Sequence, residues 1–208
     1  MSPPELTVDF VRAFIAVAIG EDVRQALAGA QARLKSSRAH VGWVAPDHIH
    51  LTLAFLGETP ASRLPELRAG LDTIATETLP FGFAVQDLGS FGGNRPRVVW
   101  AGVVLEDAAP LSALQGRVVA MLKTMGLPTE DREFHAHLTL GRTRSSRGSE
   151  ELVRYLAEFK GRAFGRVDVS QILLMRSQLR PEGPVYSVLH SAALRGQAGP
   201  EPSQPTVA

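Results

Sequence analysis

The 208-residue chain contains no cysteine, which removes disulfides, thiolate metal sites and cysteine nucleophiles from its chemistry. It has almost no net charge: 22 Lys and Arg against 21 Asp and Glu leave a formal +1. A broad basic face that clamps long nucleic acid is therefore not expected, although a few local arginines would serve a short or terminal phosphate. No stretch approaches the ~20 uninterrupted apolar residues of a membrane span. The apolar run Val11–Ile19 is interrupted by Arg12 and followed by Glu21, Asp22 and Arg24, which is not the pattern of a signal peptide. Together with 44% hydrophobic and 21% charged residues, these absences lead us to expect a soluble, cytoplasmic protein without membrane partners.

The residues that are present fall into two similar series. Phe10–Ile19 reads as a buried strand, and Glu21–Leu34 as a helix with Val23, Leu27, Ala30 and Leu34 on one face. Trp43–Leu56 alternates as a strand, and Ala61–Ala75 is a second amphipathic helix. Strands follow at Gly82–Leu88 and Arg97–Leu105 around the glycine-rich turn Gly89–Pro96, then a helix at Pro110–Met125 and a strand at Phe134–Arg142. A helix at Ser149–Phe159 and strands near Val167–Met175 and Tyr186–Leu194 complete the pattern. We expect one α+β domain over residues 1–195, a duplicated two-lobed fold with approximate repeats 10–90 and 91–195 and with strands free to cross between the lobes. Each lobe would be an antiparallel sheet with helices on its outer side, and a cleft would lie between the lobes. Residues 196–208 are Gly, Pro, Ser, Gln and Thr-rich and read as a disordered tail.

The string His-Leu-Thr-Leu occurs twice, at His50–Leu53 and His137–Leu140. On a strand, residues two apart share a face, so His50 would look out with Thr52 and His137 with Thr139. If the two lobes oppose those faces, each wall of the cleft carries one imidazole and one hydroxyl. An imidazole with an ordinary pKa of about 6.5 gives or takes a proton near neutrality. Two of them can hold opposite protonation states, one for a leaving oxygen and one for water. Threonine hydroxyls are neutral donors for phosphate oxygens. A single His-x-Thr on a strand is weak evidence, because a histidine among apolar residues is more often a satisfied structural one; the repetition carries the argument.

Each motif histidine has a second one two residues before it, His48 and His135. Four imidazoles on two strand faces could hold a metal, but no Asp or Glu shares either face, and flanking residues that tune or bind the ligand are the simpler reading. Trp43, Phe134 and Tyr186 read as core residues before they read as base-stacking platforms. Phe55 stands five residues after His50, where Arg142 stands after His137, so the two walls differ chemically. Gly89–Arg97 lacks the pattern of a nucleotide P-loop and reads as a hairpin near the cleft rim. Arg142, Arg144 and Arg147 lie in a Ser-rich segment beside the second motif.

With RAFIAVAI near the start, HLTLAFLG at His50–Gly57, RVVWAGV, HLTLGR at His137–Arg142 and GPVYSVL, the chain resembles the 2H phosphoesterase superfamily, within it the RNA 2′,3′-cyclic phosphodiesterases, or 2′–5′ RNA ligase-like proteins. The resemblance covers about residues 10–195. It implies that His50 is the proton donor to the departing ribose 3′-oxygen and His137 the proton acceptor from water. It also implies that Thr52, Thr139 and Arg142 bind phosphate. Strict alternation would put Arg142 opposite His137, so the strand must bend near Gly141. The resemblance implies action on an RNA 3′-end with weak reverse ligase activity, and we expect a monomer with no metal or other cofactor; a small cyclic nucleotide or ADP-ribose cyclic phosphate is the alternative substrate. An RNA-end-binding module without turnover is the rival from another class.

Overall fold

The computed structural model describes residues 9–196 except 94, 106, 131, 132, 181 and 182. The elements in chain order are β1 (Phe10–Ala18), α1 (Glu21–Lys35), β2 (Val41–Trp43), a 3-10 turn (Pro46–His48), β3 (His50–Pro60), α2 (Leu64–Thr76) and β4 (Phe81–Phe91). They continue with β5 (Val98–Val104), α3 (Ala109–Thr124), β6 (His137–Thr143), α4 (Ser149–Ala157), β7 (Ala163–Val169), β8 (Gln171–Arg180) and β9 (Gly183–Ala193).

The helices form where the sequence places apolar residues three and four apart. Val23, Leu27, Ala30 and Leu34 of α1, Leu67, Leu71 and Ile74 of α2, and Leu111, Leu114, Val118 and Leu122 of α3 are all buried. Acidic Glu21 and Asp22 open α1, and Arg33 and Lys35 close it, which suits the helix dipole at both ends. The strands meet these stripes with their own alternating residues: Ala13, Ile15 and Val17, Leu51 and Leu53, Val99 and Ala101, Leu138 and Leu140 belong to the same buried cluster. Truncating one of the fully buried leucines, such as Leu27 or Leu138, would cost about 2–5 kcal/mol.

The strands form one sheet in the order β7-β4-β5-β6-β3-β1-β8-β9, with β2 also paired to β6, and every pairing is antiparallel. Its two halves, β3-β1-β8-β9 and β6-β5-β4-β7, join at the single pair Leu51↔Leu138. Helices α2 and α3 pack on the first half, and α1 and α4 on the second. The sequence halves 10–90 and 91–195 therefore do not map directly onto the sheet halves. β4 crosses into the second, β8 and β9 return to the first, and α1 and α3 each pack on the half opposite to the strand before them.

Three predicted strands are corrected. Trp43–Leu56 is broken because Pro46, with fixed φ and no N–H, starts a 3-10 turn, and His48 leaves the strand with it. Val167–Met175 is extended throughout but changes partners at Ser170: β7 pairs with β4 at one edge, and β8 pairs with β1 and β9 in the other half. Strand β4 runs on to Phe91, so part of the predicted turn Gly89–Pro96 is paired with β5. The predicted tail 196–208 lies outside the described residues apart from Gly196, whose N–H donates to Thr78 O at 3.0 Å. Among the described residues no helix is long and apolar enough to cross a membrane.

Candidate active site

The junction of the two halves brings both motifs together. Leu51 and Leu138 are fully buried on the helix-facing side, so their neighbours His50, Thr52, His137 and Thr139 point to the other face. Continued from Leu51↔Leu138, the antiparallel register sets His50 beside Thr139 and Thr52 beside His137. The histidines are then diagonal neighbours, about 7–8 Å apart in a regular ladder, with room for a phosphate between the imidazoles. They stand side by side on adjacent strands, at the junction of the lobes, rather than facing each other from opposed walls.

Both rings are held in the same way. His50 Nδ1 lies 2.7 Å from His48 O, and His137 Nδ1 lies 2.7 Å from His135 O. A carbonyl oxygen only accepts, so each Nδ1 carries the proton and each neutral ring keeps its lone pair on Nε2. Thus His48 and His135 contribute backbone carbonyls. His48 sits in the 3-10 turn and His135 precedes β6, so neither forms the same-face strand pair with its neighbour that a four-imidazole metal site requires. Among the described residues no three His, Asp or Glu side chains converge on a metal position.

Burial pushes His50 below its ordinary pKa, the His48 carbonyl opposes this, and the charge of His48 adds to the lowering. Burial also lowers His137, opposed by the His135 carbonyl, and the Arg142 guanidinium lowers it further. Arg142 reaches this face because β6 bulges. Thr139 pairs with Trp100 and Gly141 with Val99, which leaves Leu140 as the extra residue. An extra residue reverses the alternation, so Arg142 returns to the face of His137. The same device operates in β3, where shifts at Leu53 and Leu56 leave Phe55 half exposed with its ring 6.3 Å from that of Phe14. The bulge at Leu140 is fixed from behind. Its carbonyl accepts from Val44 N–H at 2.9 Å and from the buried Gln31 Nε2 at 2.9 Å, and Gln31 Nε2 also donates to Val44 O at 2.8 Å.

Aromatic rings line the site asymmetrically. Phe14 stacks on His50 at 4.8 Å, and Tyr186 meets His50 edge-on at 5.6 Å and His48 at 4.7 Å. Phe91 meets His137 edge-on at 5.0 Å. Burial raises the Tyr186 phenol above its ordinary pKa, while the nearby guanidiniums of Arg142 and Arg12 pull it down. The phenol therefore stays a neutral donor in reach of charges from both halves. Tyr186, expected in the core, lies in the site instead. Trp43 and Phe134 pack against the core as expected. Arg12, Phe14, Phe91 and Trp100 are site residues that the sequence did not single out. Their only signal was position: each falls on the strand face turned away from the helices, where Phe14 is nonetheless buried.

A family model described as LigT like phosphoesterase matches the chain twice, over residues 17–100 and 104–186. The chain is 37% identical over 169 residues to an RNA 2′,3′-cyclic phosphodiesterase of Aeropyrum pernix, covering 79% of this chain and 94% of that one. It is 34% identical over 182 residues to the protein of the same name from Methanothermobacter thermautotrophicus, covering 85% and 95%. A crystal structure of a Thermus thermophilus protein is similar with a TM-score of 0.77 at 32% identity, covering 90% of this chain and 100% of that one.

Proposed function

This chain belongs to the LigT-like phosphoesterase family, and from that premise we propose that it is a phosphodiester hydrolase that opens the terminal 2′,3′-cyclic phosphate of RNA to a 2′-phosphate, as a monomer and without metal or other cofactor. His137 takes a proton from water through Nε2 as the water oxygen bonds to phosphorus. The bond from phosphorus to the ribose 3′-oxygen breaks, and His50 Nε2–H protonates that oxygen. Proton exchange with solvent then restores both rings. Thr52, Thr139 and Arg142 hold the non-bridging oxygens as charge builds on them. With an RNA 5′-hydroxyl in place of water, His137 takes the hydroxyl proton, the 5′-oxygen bonds to phosphorus, and the same bond to the 3′-oxygen breaks with protonation by His50, which gives a 2′–5′ linkage, a weak ligase reaction.

One observation carries this reading. The two imidazoles have identical Nδ1–carbonyl bonds and lie across the junction pair Leu51↔Leu138, which leaves two Nε2 atoms to work on opposite sides of one phosphate. The test is hydrolysis of a short RNA ending in a 2′,3′-cyclic phosphate, with EDTA present. Wild type should release a 2′-phosphate, and His50→Ala and His137→Ala should each lose about 10²–10⁴ in rate. Activity that returns only on adding metal would overturn the cofactor-free mechanism. Turnover of a cyclic mononucleotide but not of RNA would move the substrate to the small cyclic phosphates.

A further inference from the structure

Six arginines of this nearly neutral chain are held in ion pairs, and four of those that are not lie together. Arg24, Arg33, Arg63, Arg117, Arg154 and Arg166 each pair with a carboxylate. Arg95, Arg97, Arg142 and Arg144 make no ion pair with any described residue, and they gather at one end of β6. There, between the tip of the β4–β5 hairpin and the segment after β6, lies a cavity of about 470 Å³ lined by Arg95, Arg97, Arg144, Ser145, Ser146 and Ser149, among others, and by no carboxylate.

The cavity is built, not an accident of loose loops. Thr143 N–H donates to Arg97 O at 3.0 Å and Thr143 Oγ1 to Pro96 O at 2.5 Å, so the hairpin is fastened to the end of β6. The Arg144 guanidinium lies over Gly42, where an added Cβ would come within 2.9 Å of Nε. Gly42 pairs with Arg142 across β2 and β6, so Arg144 continues the face that carries Arg142 and His137. Ser149 is only 8% exposed, lines the cavity, and its hydroxyl has no hydrogen-bond partner among the described residues.

We propose that this cavity is a second phosphate subsite, which holds an internal phosphodiester of the RNA strand upstream of the cyclic end. The inference rests on the hydrolase reading above and deepens it: the enzyme would prefer an oligonucleotide to a cyclic mononucleotide. Guanidinium forks match phosphate oxygens, and the serine hydroxyls complete the donor set. At about 3.3 Å of rise per residue the step from His137 to Thr143 is about 20 Å, the length of a few nucleotides. Arg142 stands along that path, so a strand leaving the site would meet guanidiniums from the reacting phosphate to the cavity.

The test compares wild type with Arg97→Gln, Arg144→Gln and Ser149→Ala on a cyclic-phosphate-ended RNA hexamer and on 2′,3′-cyclic AMP. The preference for the hexamer, as a ratio of kcat/KM values, should fall about tenfold in either arginine variant, with partial rescue by Arg97→Lys. Anisotropy of a labelled hexamer ending in a 2′-phosphate should show weaker binding, with a log–log salt slope shallower by about 0.7 per phosphate contact removed. An unchanged preference, or equal losses on both substrates, would overturn the subsite. Hexamer binding that weakens in the variants while wild type turns over neither substrate would support the subsite and remove the hydrolase reading.

Discussion

Gln31→Met removes two hydrogen bonds at the back of the site while keeping side-chain volume. Gln31 is 1% exposed, and its amide donates to Val44 O and to Leu140 O. Val44 leads into the 3-10 turn that ends at His48, and Leu140 is the bulged residue that returns Arg142 to the face of His137. The Leu140 carbonyl would keep its bond from Val44 N–H, whereas the Val44 carbonyl would lose its side-chain donor. Two bonds, one buried and one half-buried, at about 0.5–1 kcal/mol each, plus about 1–2 kcal/mol for an acceptor left unpaired, give a loss of about 2–4 kcal/mol. For a chain of this size that lowers Tm by roughly 5–15 °C. Thermal unfolding followed by circular dichroism measures this, and steady-state kinetics on a cyclic-phosphate RNA measures the rest. If the bulge aims Arg142 at the phosphate, KM should rise several-fold at temperatures where the variant is fully folded. A fall in Tm with unchanged KM would reduce Gln31 to a structural prop. A stability loss under about 0.5 kcal/mol would refute the hydrogen-bond reasoning altogether.

The pH dependence follows from the two lowered histidines. The working form of the pair carries one proton, and groups with depressed pKa lose it at lower pH than usual. The optimum of kcat/KM should therefore lie below about 6.5, with activity falling as pH rises through neutrality; an optimum well above 7 would contradict the burial of both rings. His48→Ala keeps the carbonyl that orients His50, so it should cost less than about tenfold where His50→Ala costs at least a hundredfold. It also removes a charge that lowers His50, so its pH profile should shift upward, a direction that direct comparison of the two profiles checks. Gly89→Ala would drive a Cβ into the Trp100 indole, and overpacking of that kind costs about 1–3 kcal/mol. Denaturant unfolding should register it, and a neutral result would mean that the indole can swing away.

The sequence was most legible where one physical pattern acted alone. Apolar spacing located the four α-helices of the described residues, and the repeated motif located the centre of the sheet, because Leu51 and Leu138 are core residues and their neighbours must face away. The break at Pro46 was overrun because Trp43 and Val44 before it and Ile49–Leu53 after it read as one strand, although the proline itself was the signal for the break. The change of partner at Ser170 was hidden because the backbone stays extended while its neighbours change, and a pattern of period two does not say which strand lies alongside. The exchange of β4, β8 and β9 between halves is equally silent, since it depends on long-range pairing. Arg142 was the instructive case: alternation forbade it, and a bend was required near Gly141. The bulge lies at Leu140, and the buried glutamine that holds it is 109 residues away in sequence.

The asymmetry between the halves bears on which histidine gives the proton. Their own hydrogen bonds do not distinguish them, since each Nδ1 meets the carbonyl two residues earlier at the same 2.7 Å. Each also feels the charge of its neighbouring histidine. What differs is the charge brought by other residues: Arg142 acts against the imidazolium of His137 and Glu130 favours it by less, while neither a guanidinium nor a carboxylate is among the groups that shift His50. The matching position on the first strand is Phe55, which carries no charge. A bound phosphodiester anion favours the imidazolium on either side of it and so offsets the desolvation of both rings. The remaining bias on His137 is the guanidinium, which outweighs the opposing Glu130 carboxylate, and a single shared proton then rests on His50. That ordering, donor at His50 and acceptor at His137, matches the roles proposed for the forward reaction. It makes a specific demand on Arg142: replacing it with neutral Gln should weaken phosphate binding and also raise the pKa of His137, so the acid limb of the kcat/KM profile should move to higher pH. A lower activity with the acid limb unmoved would leave Arg142 as a phosphate ligand alone, and the direction of proton transfer would then need another cause.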